Sequence, residues 1–283
     1  MLLIGPILLA VALAVSPLWA RDMLPRCEYA NPQSEPADSA AFDSAAEAQF
    51  VSLINQERAS TGIPPVTIDQ RLTTAARKHC ELMALHSEVV HQLPGEPPPV
   101  TRIANEKLAF SGSSENVGST NRGVPVAHNG FMHSPPHRAT ILDPSYNAVG
   151  VGVLRVGDMI YITEDFAHML PEYSDTQAEA AAEAAIAQYA KTHGIAAPTP
   201  RVTPELRQIA CNMGMRDKLD GQDARELPRV RGVLLWTADD PAKLPKGVFQ
   251  VLSRQVSQYA LGACFAPSVS HPGGVYWLVM VSY

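Results

Sequence analysis

Several things are scarce in this chain, and each scarcity excludes a class of chemistry. It has no Lys/Arg-rich run, and its 22 basic residues are outnumbered by 28 acidic ones. The formal net charge of −6 leaves no electrostatic footprint for nucleic acid. Only four cysteines occur, Cys27, Cys80, Cys211 and Cys264, and none lies near another, so no CxxC redox or zinc motif exists. There is no HExxH and no GxSxG. The Gly150/Gly152 alternation is not a nucleotide loop, because no helix carrying Lys-Ser/Thr follows it. Beyond the N-terminus no apolar run is long enough to cross a bilayer.

What is present is an ordinary globular composition, 46% hydrophobic and 18% charged, over 283 residues. That length makes one large domain or two modest ones, with a core that needs no metal or disulfide staple. The 24 prolines imply long, stiffened connections.

The first twenty residues carry no charged side chain, and Pro17-Leu18-Trp19-Ala20 precedes Arg21. This reads as a signal peptide over 1–20 cleaved near Ala20, with an uncleaved anchor as the alternative. The chain is expected to be secreted or periplasmic, with no transmembrane span once mature. In an exported chain an even cysteine count favours disulfides, here Cys27–Cys80 and Cys211–Cys264, one per half; buried free thiols are the alternative.

Residues 21–46 read as a polar tether. Phe50, Val51, Leu53 and Ile54 recur at helical spacing within 47–59, and Gly62 ends that helix. Asp69 is placed to cap a second helix whose buried stripe is Leu72, Ala75, Ala76, Cys80 and Met83. Residues 92–124 read as loop-rich. Pro125 starts a third helix, which Pro135-Pro136 must stop. Val149, Val151 and Val153 then alternate with Gly150, Gly152 and Leu154, and Gly157-Asp158 joins this run to Met159–Phe166 as a β-hairpin. The glycines suit close strand–helix packing. Glu164 and Asp165 are neighbours on a strand and so face opposite sides.

The second half lays over the first. Residues 186–211 match 51–77, with Gly194-Ile195 on Gly62-Ile63 and Leu206 on Leu72. Residues 261–265 match 149–153, and 276–281 match 161–166. A repeat of this length is domain duplication, with an unrelated α+β domain as the alternative. The expected organisation is therefore a domain at 47–170 and a second α+β domain at 175–283. Trp236 and Trp277 are expected to fill the second core, and His271 falls in a Pro/Gly turn.

Ordered blocks carry a more specific signal. They are Asn55-Gln56-Glu57-Arg58, Gly62-Ile63-Pro64-Pro65-Val66, Asp69, Leu72, Ala75-Ala76, Met83, His91 and Glu115-Asn116-Val117. Then follow Phe131, Ser134-Pro135-Pro136-His137-Arg138, Ile141-Leu142, Pro144, Tyr146 and Val149 to Val153. In order and spacing they resemble the CAP superfamily, the SCP-like extracellular domain of bacterial type, over about 120 residues. The resemblance implies an α+β fold, an α-β-α sandwich with an antiparallel sheet, followed by a degenerate second CAP-like unit.

It also implies a cleft with two His and two acids. Carried over position by position, these are His91, Glu115 and His137; Ser134 stands where the second acid would be. Two His and one Glu suit a divalent metal such as zinc; a His–Glu hydrogen-bond cluster that pins the Pro-rich loops suits them equally. His128 and His133 are expected to be exposed, Arg138 to lie at the surface and Asn116 to tie down backbone. The functional expectation is a non-enzymatic module binding an extracellular protein, a lipid or a cell-surface ligand. The alternative is a metal-dependent, peptidase-like hydrolase using the same three residues.

Overall fold

The computed structural model describes residues 40–254 and 256–283. The expected signal peptide, most of the tether and Cys27 lie outside them. Residues 40–170 build β1 (Ala41–Phe42), α1 (Ser44–Ser60), β2 (Thr67–Ile68), α2 (Gln70–His86), α3 (Pro99–Asn105), β3 (Phe110–Thr120), α4 (Val124–His133), α5 (Pro135–Ile141), β4 (Ala148–Val156) and β5 (Met159–Met169).

Local chemistry sets the boundaries. The Asp43 side chain accepts from Ala46 N at the start of α1, and Asp69 accepts from Arg71 N and Leu72 N at the start of α2. Gly62, at φ +75°, turns the chain out of α1. Pro135-Pro136 do end α4, but they also begin α5, because a first-turn proline needs no N–H partner. The stretch 92–124, expected as loop-rich, contains α3 and β3. Most of its strand is Ser, Gly and Asn, residues of low strand propensity, so pattern reading passes over it.

The sheet runs β1-β4-β5-β3 antiparallel, with β2 added parallel to β4. Alternation along β4 sorts its faces. Val149, Val151 and Val153 pack with Phe50 and Ile54 of α1, Phe131 of α4 and Ile141 of α5. Gly150 and Gly152 face α2, so closely that a Cβ on Gly150 would overlap the Leu72–Thr73 backbone and one on Gly152 the Ala76–Arg77 backbone. Helices on both faces make an α-β-α sandwich. Arg58, fully buried, ties its first layer together: its guanidinium donates to the carbonyls of Pro64, Ile141, Asp143 and Tyr146 at 2.8–2.9 Å.

Residues 175–283 build α6 (Asp175–Thr192), β6 (Thr199–Pro200), α7 (Glu205–Met215), α8 (Gln222–Arg225), β7 (Gly232–Ala238), α9 (Lys246–Ser253), β8 (Gln258–Ala266) and β9 (Val275–Ser282). Their sheet runs β6-β8-β9-β7, again with a short parallel edge and an antiparallel remainder. Trp236 and Trp277 are both buried in its cores.

Three details fix which positions correspond. Ile63 N donates to Arg58 O, and Ile195 N to Ala190 O. Ile68 pairs with Val149, and Pro200 with Tyr259. Glu47 of α1 holds Arg77 of α2 and the Val153 amide; Glu179 of α6 holds Arg207 of α7 and the Ala263 amide. Gly262 therefore corresponds to Gly152, and Leu206 to Ala76. The overlay on Gly150 and Leu72 is displaced because the matching helix position follows its edge strand by fewer residues in the second half, Pro200 to Leu206 against Ile68 to Ala76.

Cys211 of α7 is bonded to Cys264 of β8 across 53 residues of sequence. Cys80 is buried, and its Sγ lies within hydrogen-bond reach of Gly152 O and Thr163 Oγ1, each at 3.3 Å. Burial pushes its thiol up to about 12. Its expected partner, Cys27, lies outside the described residues. The two sheets meet where Gly273 C=O accepts from Phe110 N at 3.1 Å and the Tyr276 hydroxyl donates to Pro171 O at 2.9 Å.

Candidate functional site

The site lies along the N-terminal part of β3, between α3 and α5. The segment after α2 carries His91 and Glu96, α3 carries Arg102, β3 carries Glu115 and Asn116, and α5 carries His137. His91, Glu115 and His137 all line one cavity of about 490 Å³, together with Pro99, Ser114 and Thr140.

Glu115 is its hub. Its side chain is 2% exposed, whereas that of His91 is 55% exposed. Glu115 Oε1 lies 3.0 Å from His91 Nδ1, and Oε2 accepts from Arg102 Nη2. Arg102 also donates to His91 O at 2.9 Å and lies 3.2 Å from Glu96 Oε1. Glu96 in turn faces His79 Nδ1 at 2.8 Å and accepts from Leu93 N, while His79 Nε2 donates to Val90 O. A buried chain of alternating basic and acidic groups thus fixes the loop that presents His91. Each charge has a partner, as burial demands.

Behind Glu115 stands Asp165, its register partner on β5. Burial first, then the Glu115 charge, pushes the Asp165 carboxyl well above the usual range, and neither of its buried oxygens has a hydrogen-bond partner among the described residues. One residue along, on the opposite face, Glu164 accepts from Asn116 Nδ2 at 3.0 Å, and burial pushes its carboxyl up to about 7. Asn116 Nδ2 also reaches His137 O at 3.3 Å, which secures the α5 wall of the cleft. The His137 ring sits edge-on to Phe131 at 5.1 Å between centroids.

The two cleft imidazoles are tuned apart. The hydrogen bond to Glu115 raises the His91 pKa, whereas desolvation, followed by the His91 charge, lowers that of His137. Both carboxylate oxygens of Glu115 are already engaged, so Glu115 does not fit a direct metal ligand. It fits a carboxylate behind a ligating histidine, holding Nδ1–H so that Nε2 is turned to the cleft. Among the described residues, the group of three candidate ligands found within 4.8 Å of one another is Asp175, Cys211 and Cys264, and two of those sulfurs form the disulfide.

His133 is exposed as expected and Arg138 is at the surface. His128 is not exposed: it is buried beside Phe50 with neither ring nitrogen hydrogen-bonded, and desolvation lowers its pKa. α4 turns it inward on the same face as Val124 and Phe131. Pattern reading missed His79, Glu96, Arg102 and Asp165. His79 had a signal, since it lies three residues after Ala76 and four before Met83 on the buried stripe of α2.

Residues 51–166 match the CAP family, described as the cysteine-rich secretory protein family. The uncharacterized protein YkwD of Bacillus subtilis (strain 168) is 28% identical over 116 residues, 41% of this chain and 45% of that protein. The uncharacterized membrane protein YlbC of the same strain is 28% identical over 120 residues, 42% of this chain and 34% of that protein. The chain thus spans less than half the length of either curated relative. Among solved structures, an extracellular SCP-domain protein from Bacillus anthracis str. Ames is similar at 25% identity and a TM-score of 0.41, covering 44% of this chain and 41% of that one.

Proposed function

Residues 51–166 form a CAP domain, and from that premise we propose that the protein is an exported, non-enzymatic binding module whose ligand enters the His91–His137 cleft. One observation carries this reading: a half-exposed histidine is held on a buried carboxylate at the mouth of a cavity of about 490 Å³. Investing a buried Arg–Glu network in the pose of one exposed ring is what a preorganised binding site requires. Where a divalent metal such as zinc is bound, His91 Nε2 and His137 would hold it and Glu115 would orient His91. The metal would supply Lewis acidity to a bound ligand. We further propose that residues 175–283 are a degenerate copy of the first unit, serving as its scaffold. Among the described residues no helix is long and apolar enough to cross a membrane.

Zinc titration by calorimetry tests the cleft. Wild type is expected to bind near one equivalent at neutral pH, with His91→Ala and His137→Ala each losing it while melting like the parent. Binding unchanged in both variants would remove the cleft from the reading.

A further inference from the structure

The cleft does not end at the CAP domain. A second cavity of about 400 Å³ continues from the first, and the two share Val100 and Ser113. Its far wall comes from the second half, with Asp239 after β7 and His271 in the turn before β9. Both cavities run along β3, which pairs with β5 on one side and ends the sheet on the other. Its outer edge has one backbone rung among the described residues, Phe110 N–H to Gly273 C=O. From Ser111 to Ser114 the strand is only serine and glycine, which lets another backbone approach closely.

We propose that this composite groove takes an extended peptide bearing basic side chains, which adds to the outer edge of β3 as a further strand. The proposal rests on the reading of the cleft as a binding site and names its occupant. Three observations select a peptide. The edge offers unpaired backbone donors and acceptors, the currency of strand addition. The Gly273 carbonyl already makes the first such rung, so an added strand continues a pattern the fold has begun. Neither lining holds Trp or Tyr, and the one Phe, Phe110, is buried, so the broad aromatic faces on which sugar rings stack are missing from both. Charge selects a basic one: Asp239 is an exposed carboxylate with no ion-pair partner among the described residues, and neither lining holds Lys or Arg. Seven residues of β3, 110–116, extend about 20 Å, room for a peptide of about six residues.

The test uses the full chain and a fluorescein-labelled peptide of about eight alternating Lys and Val residues. Two copies serve as controls, one with Glu replacing Lys and one N-methylated at alternate amides. The Lys peptide is expected to bind in fluorescence anisotropy and to slow hydrogen exchange at 111–114. The Glu and N-methylated copies should bind about tenfold more weakly or worse. Asp239→Lys, an exposed substitution expected to leave melting unchanged, should weaken the Lys peptide about tenfold and leave zinc binding alone. Equal binding by the N-methylated copy, protection confined to other segments, or no binding by any peptide overturns the proposal. If zinc still requires His91 and His137 in that last case, the cleft reading survives and strand addition alone falls; if zinc binding fails as well, both fall.

Discussion

The two sheets share a strand order and differ in what they bury. On the hydrogen-bonded register, Glu115, Asn116, Glu164 and Asp165 of the first correspond to Val233, Leu234, Met280 and Val281 of the second. Arg58, which gathers four carbonyls, corresponds to Ala190. Both halves keep the Glu–Arg pair that joins two helices to a strand, and both keep a glycine where a helix touches that strand. What is common holds the architecture; what differs is the buried polar set behind the cleft and the Arg58 clamp. The first half keeps costly buried polar groups where they position His91 and His137. The second has apolar side chains at those positions and a disulfide of its own.

That contrast can be broken or sharpened experimentally. The largest effect should come from Arg58→Ala, which strands four carbonyls and a cavity in the first half; a loss of about 4–5 kcal/mol is expected in urea unfolding. A loss under about 1 kcal/mol would mean the clamp is dispensable and the halves are more alike than their side chains suggest. Replacing Cys211 and Cys264 by Ser should cost about 3–4 kcal/mol, given the loop the bond closes. Hydrogen exchange should then rise first in α7 and β8, and a uniform rise would argue that the two sheets open together.

Third is pH. The folded pKa of Glu164 is raised to about 7, so the stability its proton confers is complete below the unfolded value near 4.5 and is lost as pH climbs through 7. The change is on the order of 3 kcal/mol across that window, and Glu164→Gln should remove most of it. Exchange in the second sheet, with Met280 at that position, should stay flat over the same range if the two sheets open separately. His128 has the opposite sign. Its folded pKa is lowered, so stability is lost as pH falls below about 6.5, and His128→Phe should abolish that loss between pH 8 and pH 5. No difference between pH 5 and pH 8 would show that water reaches the ring.

The sequence was most readable where a local rule acts. Asp43 escaped it, but Asp69, Gly62, the α2 stripe, the β4–β5 hairpin and the Cys211–Cys264 bond all follow from patterning or cysteine pairing. It was least readable where tertiary contact overrides propensity. β3 is poor in strand formers and exists because β5 pairs with it along its length. His91, Glu115 and His137 were legible only through family spacing. The network that fixes them was not, because Glu96, Arg102 and Asp165 come from three separate segments with no shared period. The opposite-face rule for Glu164 and Asp165 holds, yet it looked along the strand, whereas Asp165 finds its carboxylate neighbour across it.

The Arg58 clamp also has a history in time. Its bonds to Ile141, Asp143 and Tyr146 span 83 to 88 residues of sequence. Contacts that distant close only after most of the intervening chain has been placed. The guanidinium therefore belongs to the late part of folding, and what it adds to stability should appear as slow unfolding rather than fast folding. The clamp is then less a strut than a latch: it sets how long the folded state lasts once reached.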